Sequence, residues 1–236
     1  MKGMQQRIEN LNWKKIESDL DEWGYALTGP FLTDQECTDL INLYGNEKQF
    51  RSVISMERYR FGSGEYKYFA DPLPGIIEEL RQASYPFLAK IANEWMEKLD
   101  AKTEFPPRWD DFYEQCRRLG QTKPTPLILR YTEGGYNCLH QDLYGEVAFP
   151  LQLTCVLNRP GHDFTGGEFL LVEQRPRAQS RGQVVVADAG EFILFANRYR
   201  PVQGSRGFYR TNMKHGVSRV LSGERYAFGI IFHTAK

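Results

Sequence analysis

The segment NCLHQDLYGE, residues 137–146, sets His140 and Asp142 two positions apart in a chain that holds four histidines. Residues i and i+2 of a strand project to the same side, so an imidazole and a carboxylate at this spacing reach one ion. The pair alone is weak evidence. A third ligand must come from a distant part of the chain, and NMKHGVSRV supplies His215, 73 residues beyond the aspartate. Two imidazoles and one carboxylate on one face of an octahedron hold Fe(II) and leave three positions open. Ten residues after His215, SGERYAFGIIF places Arg225 at the head of an apolar strand. A guanidinium entering a barrel-like interior requires an anionic partner, because an unpaired buried charge is costly. A dicarboxylate co-substrate would be such a partner. The ordered set of H-x-D, late histidine and arginine at +10 points to a metal site with an anion-binding arm.

The remaining candidates have plainer readings. His233 shares strand parity with Arg225 and would line the same cavity, but a hydrogen-bonded core or edge histidine is the simpler expectation. His162, in RPGHDF, belongs to an exposed turn. In FTGGEF, Gly166 and Gly167 suit a tight bend before a strand, with Glu168 facing water. Cys37, Cys116, Cys138 and Cys155 form no C-x-x-C pair. They read as reduced, mostly buried thiols.

These residues need a scaffold to bring them together. From Leu127 onward, short β-rich runs recur between turn signals: LILRY, FPLQLTCVLN, GGEFLLVEQ, QVVVAD, GEFILFAN, FYRTNMKHGVSRVL and ERYAFGIIFH. Their number predicts an antiparallel double-sheet roll able to hold a ligand between its sheets. The first third reads as helical. NWKKIESDLDEWGYAL spaces Trp13, Ile16, Leu20 and Trp23 as one buried helix face. FLTDQECTDLINLYG opens on a capping box, Thr33 with Glu36, and closes at Gly45. PGIIEELRQASYPFLAKIANEWMEKL predicts a third helix, with Ile77, Leu80, Phe87, Leu88, Ile91 and Trp95 on one side and a kink or break at Pro86. FRSVISMERYRFGSGEYKYFAD reads as a hairpin closed by GSG, and residues 101–126 as a proline-marked connector. The expected class is α+β: a helical extension and connector over residues 1–126 packed on a β core over residues 127–236, as one structural unit.

A chain of 236 residues with 41% hydrophobic and 25% charged content buries a sizeable core and is not broadly disordered. No apolar run reaches the roughly 18 residues that span a bilayer, and the opening lacks the apolar centre of a secretion signal, so a cytoplasmic protein with no membrane partner is expected. Net charge is zero, but residues 1–118 carry 16 basic against 21 acidic side chains and residues 119–236 carry 14 against 9. Seven arginines (Arg175, Arg177, Arg181, Arg198, Arg200, Arg206, Arg210) fall in one stretch with Tyr199, Phe208 and Tyr209 between them. Such a stretch either meets an anionic partner or forms a solvated loop pair.

The ordered motifs LHQD, GGEF and KHGVSRVLSGERY resemble those of the Fe(II)/2-oxoglutarate-dependent oxygenases of the double-stranded β-helix, or jelly-roll, fold. HQDLYG, DFTGGEFLLVEQRPR, FANRYRPVQG and NMKHGVSR resemble more closely a prokaryotic AlkB-like, prolyl-4-hydroxylase-like branch, and the resemblance extends over most of the chain. It implies Fe(II), 2-oxoglutarate and dioxygen as cofactors, with His140, Asp142 and His215 on the metal and Arg225 on the distal carboxylate of 2-oxoglutarate. Many members place a serine or threonine two residues after that arginine; here the position is Ala227. Tyr131, in LRYTEGGYNCLHQD, is then the candidate second donor, with Tyr136 and Asn137 also near. Arg219 and Arg225 copy an R-x-x-x-x-x-R spacing of DNA-repair members at a different offset from the histidine, which reads as coincidence. The resemblance leaves three substrate classes open: alkylated nucleic acid, slightly favoured by the arginines; a prolyl or other protein side chain; and a small molecule. A non-catalytic cupin-like metal- or anion-binding module is the reading from another class, and the intact ligand set argues against it.

Overall fold

The computed structural model describes residues 3–236. The chain opens with α1 (Met4–Glu9) and α2 (Trp13–Trp23), followed by strand β1 (Tyr25–Pro30). The turn between α2 and β1 falls at Gly24, whose φ of 81° is left-handed and ends the helix. An added Cβ there would stand 2.8 Å from Met213. The helix spans all four residues of the expected stripe, but Trp23, its last residue, is 40% exposed rather than buried with Ile16 and Leu20. Next comes α3 (Asp34–Leu43), opened by the capping box that Thr33 and Glu36 spell out.

The hairpin-like region holds β2 (Phe50–Ser55), the short helix α4 (Met56–Tyr59), β3 (Gly62–Ser63) and β4 (Glu65–Phe69). Strands β2 and β4 do pair, but GSG is not their turn. Gly62 and Ser63 leave the pair to join a second sheet, opposite Asn137 and Tyr136. Backbone contact explains the glycine: a Cβ on Gly62 would lie 2.2 Å from the Tyr136 carbonyl oxygen.

Helix α5 (Gly75–Lys98) runs unbroken through Pro86. Pro86 and Gln82, four residues earlier, both lie on the exposed face, so the carbonyl that loses its donor turns to water. Phe87 is half-buried and stacks on Trp13, with ring centres 4.5 Å apart. Within the expected connector, α6 (Trp109–Arg118) buries Trp109, Phe112 and Cys116. Their i, i+3, i+7 spacing is a helical stripe that the flanking prolines masked.

The rest of the chain is built of eleven strands: β5 (Leu127–Tyr131), β6 (Tyr136–His140), β7 (Leu151–Val156), β8 (Phe164–Gly166), β9 (Phe169–Gln174), β10 (Arg181–Val185), β11 (Glu191–Ala196), β12 (Tyr199–Gly204), β13 (Gly207–Val217), β14 (Val220–Gly223) and β15 (Arg225–Ile231). A seven-stranded sheet runs β1-β11-β7-β15-β5-β4-β2, and a second runs β10-β9-β13-β6-β3 with β12 folded back on β13. Strands from the first half thus form both edges of the larger sheet and one edge of the smaller. The sheets face each other: Phe169 of β9 meets Phe195 of β11 with ring centres 4.8 Å apart. Strand β11 is buried along its whole length, with β1 and β7 on its two sides. That explains its unbroken apolar text. The architecture is the expected jelly-roll core with a helical layer.

Candidate metal centre

His140 ends β6, and His215 lies directly opposite it on β13 in the antiparallel register. Asp142 follows the strand end and is pinned by its backbone. Asn197 accepts its N–H at 2.8 Å and donates to its carbonyl at 2.6 Å. Gln141 donates to the carbonyls of Arg198 and Met213. The three side chains therefore converge. His215 Nε2 is 3.2 Å from Asp142 Oδ2, His140 Nε2 is 3.7 Å from Oδ1, and the candidate ligand atoms all lie within 4.8 Å of one another.

Hydrogen bonds prepare these groups as ligands. His140 Nδ1 lies 2.8 Å from the Cys138 carbonyl, which can only accept, so the proton sits on Nδ1 and Nε2 presents its lone pair. Asp142 Oδ1 accepts from the Tyr144 hydroxyl at 2.7 Å, and Oδ2 from Gln152 at 3.1 Å. Burial opposes the charge on Asp142, but the hydrogen bond to His215 and the two imidazoles outweigh it and hold the carboxyl well below its ordinary range. Burial lowers the pKa of His215, helped by His140 and opposed by Asp142. A neutral imidazole beside an ionised carboxylate is the form that binds a divalent metal. The donor set fits a first-row metal of the two-histidine, one-carboxylate kind.

A cavity of about 370 Å³ opens between the sheets over this cluster, and Arg225 and Tyr131 line it too. Arg225 is 2% exposed and faces Tyr131 across the β15–β5 register. Its guanidinium carbon lies 5.6 Å from the Tyr131 ring centre. Neither Arg225 Nε nor the Tyr131 hydroxyl has a partner among the described residues. Burial pulls the arginine's pKa down and pushes the Tyr131 phenol up to about 12, against the pull of Arg225. A buried cation beside an orphaned hydroxyl fits a carboxylate arriving from outside. Gly167 makes room for it: a Cβ there would stand 2.8 Å from Arg225 Cδ. Ala227 and Asn137 also line the cavity; Tyr136 does not and is exposed.

Other candidates fall elsewhere. His233 is fully buried outside the cavity lining, accepts from the Phe149 N–H at 3.2 Å, and is pulled down to about 4 by burial. His162 is exposed and pairs with Asp163. Glu168 does not simply face water, since Ser218 donates to its carboxylate. Cys138 is exposed, unlike the other three cysteines.

The arginine stretch divides. Glu173, 1% exposed, holds Arg175, binds Arg200 through Nε at 3.1 Å and Nη2 at 2.5 Å, and lies 3.8 Å from Arg181. Arg200 is 2% exposed and also donates to the Asp21 carbonyl. It is a structural arginine. Arg177, Arg198, Arg206 and Arg210 are exposed.

Residues 64–235 match the model of the Oxygenase-NA family, described as an oxygenase catalysing oxidative methylation of damaged DNA. An uncharacterized protein of Mycobacterium tuberculosis is 50% identical over 167 residues, covering 71% of this chain and 72% of that one. Among solved structures, a Pseudomonas putida prolyl-4-hydroxylase superposes with a TM-score of 0.52 at 14% identity, over 95% of this chain and 99% of its own. A Trichoplax adhaerens prolyl hydroxylase in complex with a hypoxia-inducible-factor peptide gives 0.52 at 15%, over 96% and 90%. The non-heme α-ketoglutarate-dependent epimerase SnoN gives 0.54 at 12%, over 92% and 80%. At these identities the likeness is one of fold.

Proposed function

We propose that this chain, which belongs to the Oxygenase-NA family, is a 2-oxoglutarate- and Fe(II)-dependent oxygenase whose substrate is an alkylated nucleic acid. Fe(II), 2-oxoglutarate and dioxygen are its cofactors. In this reading His140, Asp142 and His215 hold the iron. Arg225 pairs with the distal carboxylate of 2-oxoglutarate, and the Tyr131 hydroxyl donates to the same group where many relatives use the residue that is Ala227 here. The observation that carries the reading is that the three candidate ligands and Arg225, whose Nε has no partner among the described residues, line one cavity.

Held by His140, Asp142, His215 and Arg225, the metal and co-substrate would supply the oxidising power. The chain's own work is placement. The Cys138 carbonyl keeps the His140 proton on Nδ1. Asn197 fixes the backbone of Asp142, while Tyr144 and Gln152 aim its carboxylate. The apolar walls, among them Leu129, Leu153 and Val217, restrict water around the reacting groups. No helix among the described residues is long and apolar enough to cross a membrane, and the four free thiols support a cytoplasmic setting.

The test is succinate release by anaerobically reconstituted protein offered single-stranded oligonucleotides with methylated bases. Release should rise with those oligonucleotides and stay at background with unmodified strands, and Asp142→Ala should abolish it with the fold retained. Full activity in the Asp142 variant would overturn the ligand assignment. Release prompted only by proline-containing peptides would transfer the substrate to a protein side chain.

A further inference from the structure

The short segment from Met56 to Gly64 crosses from one sheet to the other at the mouth of the cavity, and its side chains point in two directions. Met56 is fully buried and anchors it. Glu57 clasps it from within, its carboxylate accepting from Ser55 Oγ at 2.8 Å, Ser63 Oγ at 2.7 Å and the Gly64 N–H at 3.0 Å. The left-handed residue Arg60, φ 60°, then turns the chain so that Tyr59 and Phe61 come side by side. Their rings stack at 5.5 Å between centres and 19° between planes, yet Tyr59 is 47% and Phe61 46% exposed. Arg58 lies 5.6 Å over the Tyr59 ring. Arg58 and Arg60 are exposed, and neither forms an ion pair among the described residues. Both Arg60 and Phe61 line the cavity.

This lip is tied to the metal centre. The Phe61 carbonyl accepts the Cys138 N–H at 2.7 Å, and the Cys138 carbonyl holds His140. Its rings serve no core: two large aromatics kept half in water on a clasped, well-anchored turn cost solvation that a buried pair would not. The cavity's volume says what they are for. At about 370 Å³ it lies near the lower end of the roughly 300–1,000 Å³ of small-ligand pockets, and it must hold the co-substrate as well as the reacting group. One planar group fits inside. The rest of a polymeric substrate has to lie across the mouth.

We propose that Arg58, Tyr59, Arg60 and Phe61 form a strand-binding lip, on which a base flanking the reacting nucleotide of single-stranded nucleic acid stacks while the two guanidiniums meet its phosphates. A strand that alternates planar bases with anionic phosphates matches a surface that alternates cation and aromatic ring. An acidic or proline-rich peptide would meet only one of the two. The inference deepens the nucleic-acid reading above and depends on it.

The experiment is fluorescence anisotropy of a labelled single-stranded oligodeoxynucleotide with one methylated base, bound to protein loaded with Mn(II) and 2-oxoglutarate. Two variants replace the rings: Tyr59→Ala/Phe61→Ala, and Tyr59→Leu/Phe61→Leu, which keeps apolar bulk without a π-face. Both should bind roughly 10–100-fold more weakly, as expected for losing one or two stacked bases. Arg58→Gln/Arg60→Gln should lower the slope of log affinity against log salt by about 1.4. Melting temperatures check that the variants are folded. If wild type binds the strand and both ring variants bind as tightly, the lip assignment is overturned while the substrate class stands. If wild type does not bind the strand, or binds a peptide through the same rings, lip and substrate class fall together.

Discussion

At Asp142 the carboxylate is oriented by neutral donors, and that choice of neighbour sets how well the site holds a metal. Tyr144 donates to Oδ1 and in turn accepts from the Tyr68 hydroxyl at 2.9 Å. Burial, then the charge of Asp142, pushes the Tyr144 phenol well above its ordinary pKa, so it remains a donor. Tyr144→Phe removes a hydrogen bond that fixes one carboxylate oxygen and leaves the Tyr68 hydroxyl without a partner. The second loss costs about 1–3 kcal/mol of stability. The first should weaken metal binding roughly 10–100-fold. Calorimetric titration of the metal-free variant with Mn(II) reads this without any turnover; a dissociation constant within twofold of wild type would show that Tyr144 does not position the carboxylate.

Between elements, Glu173 is the joint where charge is traded for packing. It lies on β9, with Arg200 from β12 and Arg181 from β10 turned toward it, and Arg200 reaches on to the last turn of α2 at Asp21. Arg200 is the buried partner of Glu173, while Arg175 and Arg181 reach it from the surface and still offset part of its charge, so Arg200→Ala should destabilise the fold by about 3 kcal/mol, the lower end for a broken buried pair. Arg198→Ala, two positions away and exposed, should stay within about 0.5 kcal/mol. Urea unfolding of both variants compares them, and a cost under about 1 kcal/mol for Arg200 would refute the structural role. The same pair shows what the sequence makes legible. Arg198 and Arg200 look alike in RYR text, because nothing local records that one meets Glu173, 27 residues earlier. The clustering of His140, Asp142 and His215 was readable because metal chemistry demands specific types in a specific order, and the capping box of α3 because its partners are three residues apart. What escaped reading depended on contacts made only in the folded chain: α6 hidden between prolines, the crossing of GSG to the second sheet, and Asn197, whose grip on Asp142 has no signature in FANRYR. Tyr144 did leave a trace, sharing the parity of His140 and Asp142 in HQDLY.

For the whole molecule, the space between the two sheets is where stability has been given up for binding. Among the described residues, buried Arg225 has no partner for its Nε and buried Tyr131 none for its hydroxyl. An apolar side chain of similar length would avoid both the desolvation of the charge and its lack of an acceptor. Arg225→Met should therefore melt at or above the temperature of wild type when no ligand is present. Adding 2-oxoglutarate with Mn(II) should reverse the order. At about 100 times its dissociation constant a ligand stabilises the folded state by about 2.7 kcal/mol, which for a chain of this size corresponds to a rise of roughly 5–11 °C. Wild type should show that rise and Arg225→Met should not, although metal alone should shift both equally because the three ligands are untouched. Differential scanning fluorimetry with metal alone, and with metal plus co-substrate, separates the two contributions. An equal co-substrate shift in both proteins would mean that the carboxylate is held elsewhere in the cavity, and that the buried guanidinium is retained for some purpose other than anchoring it.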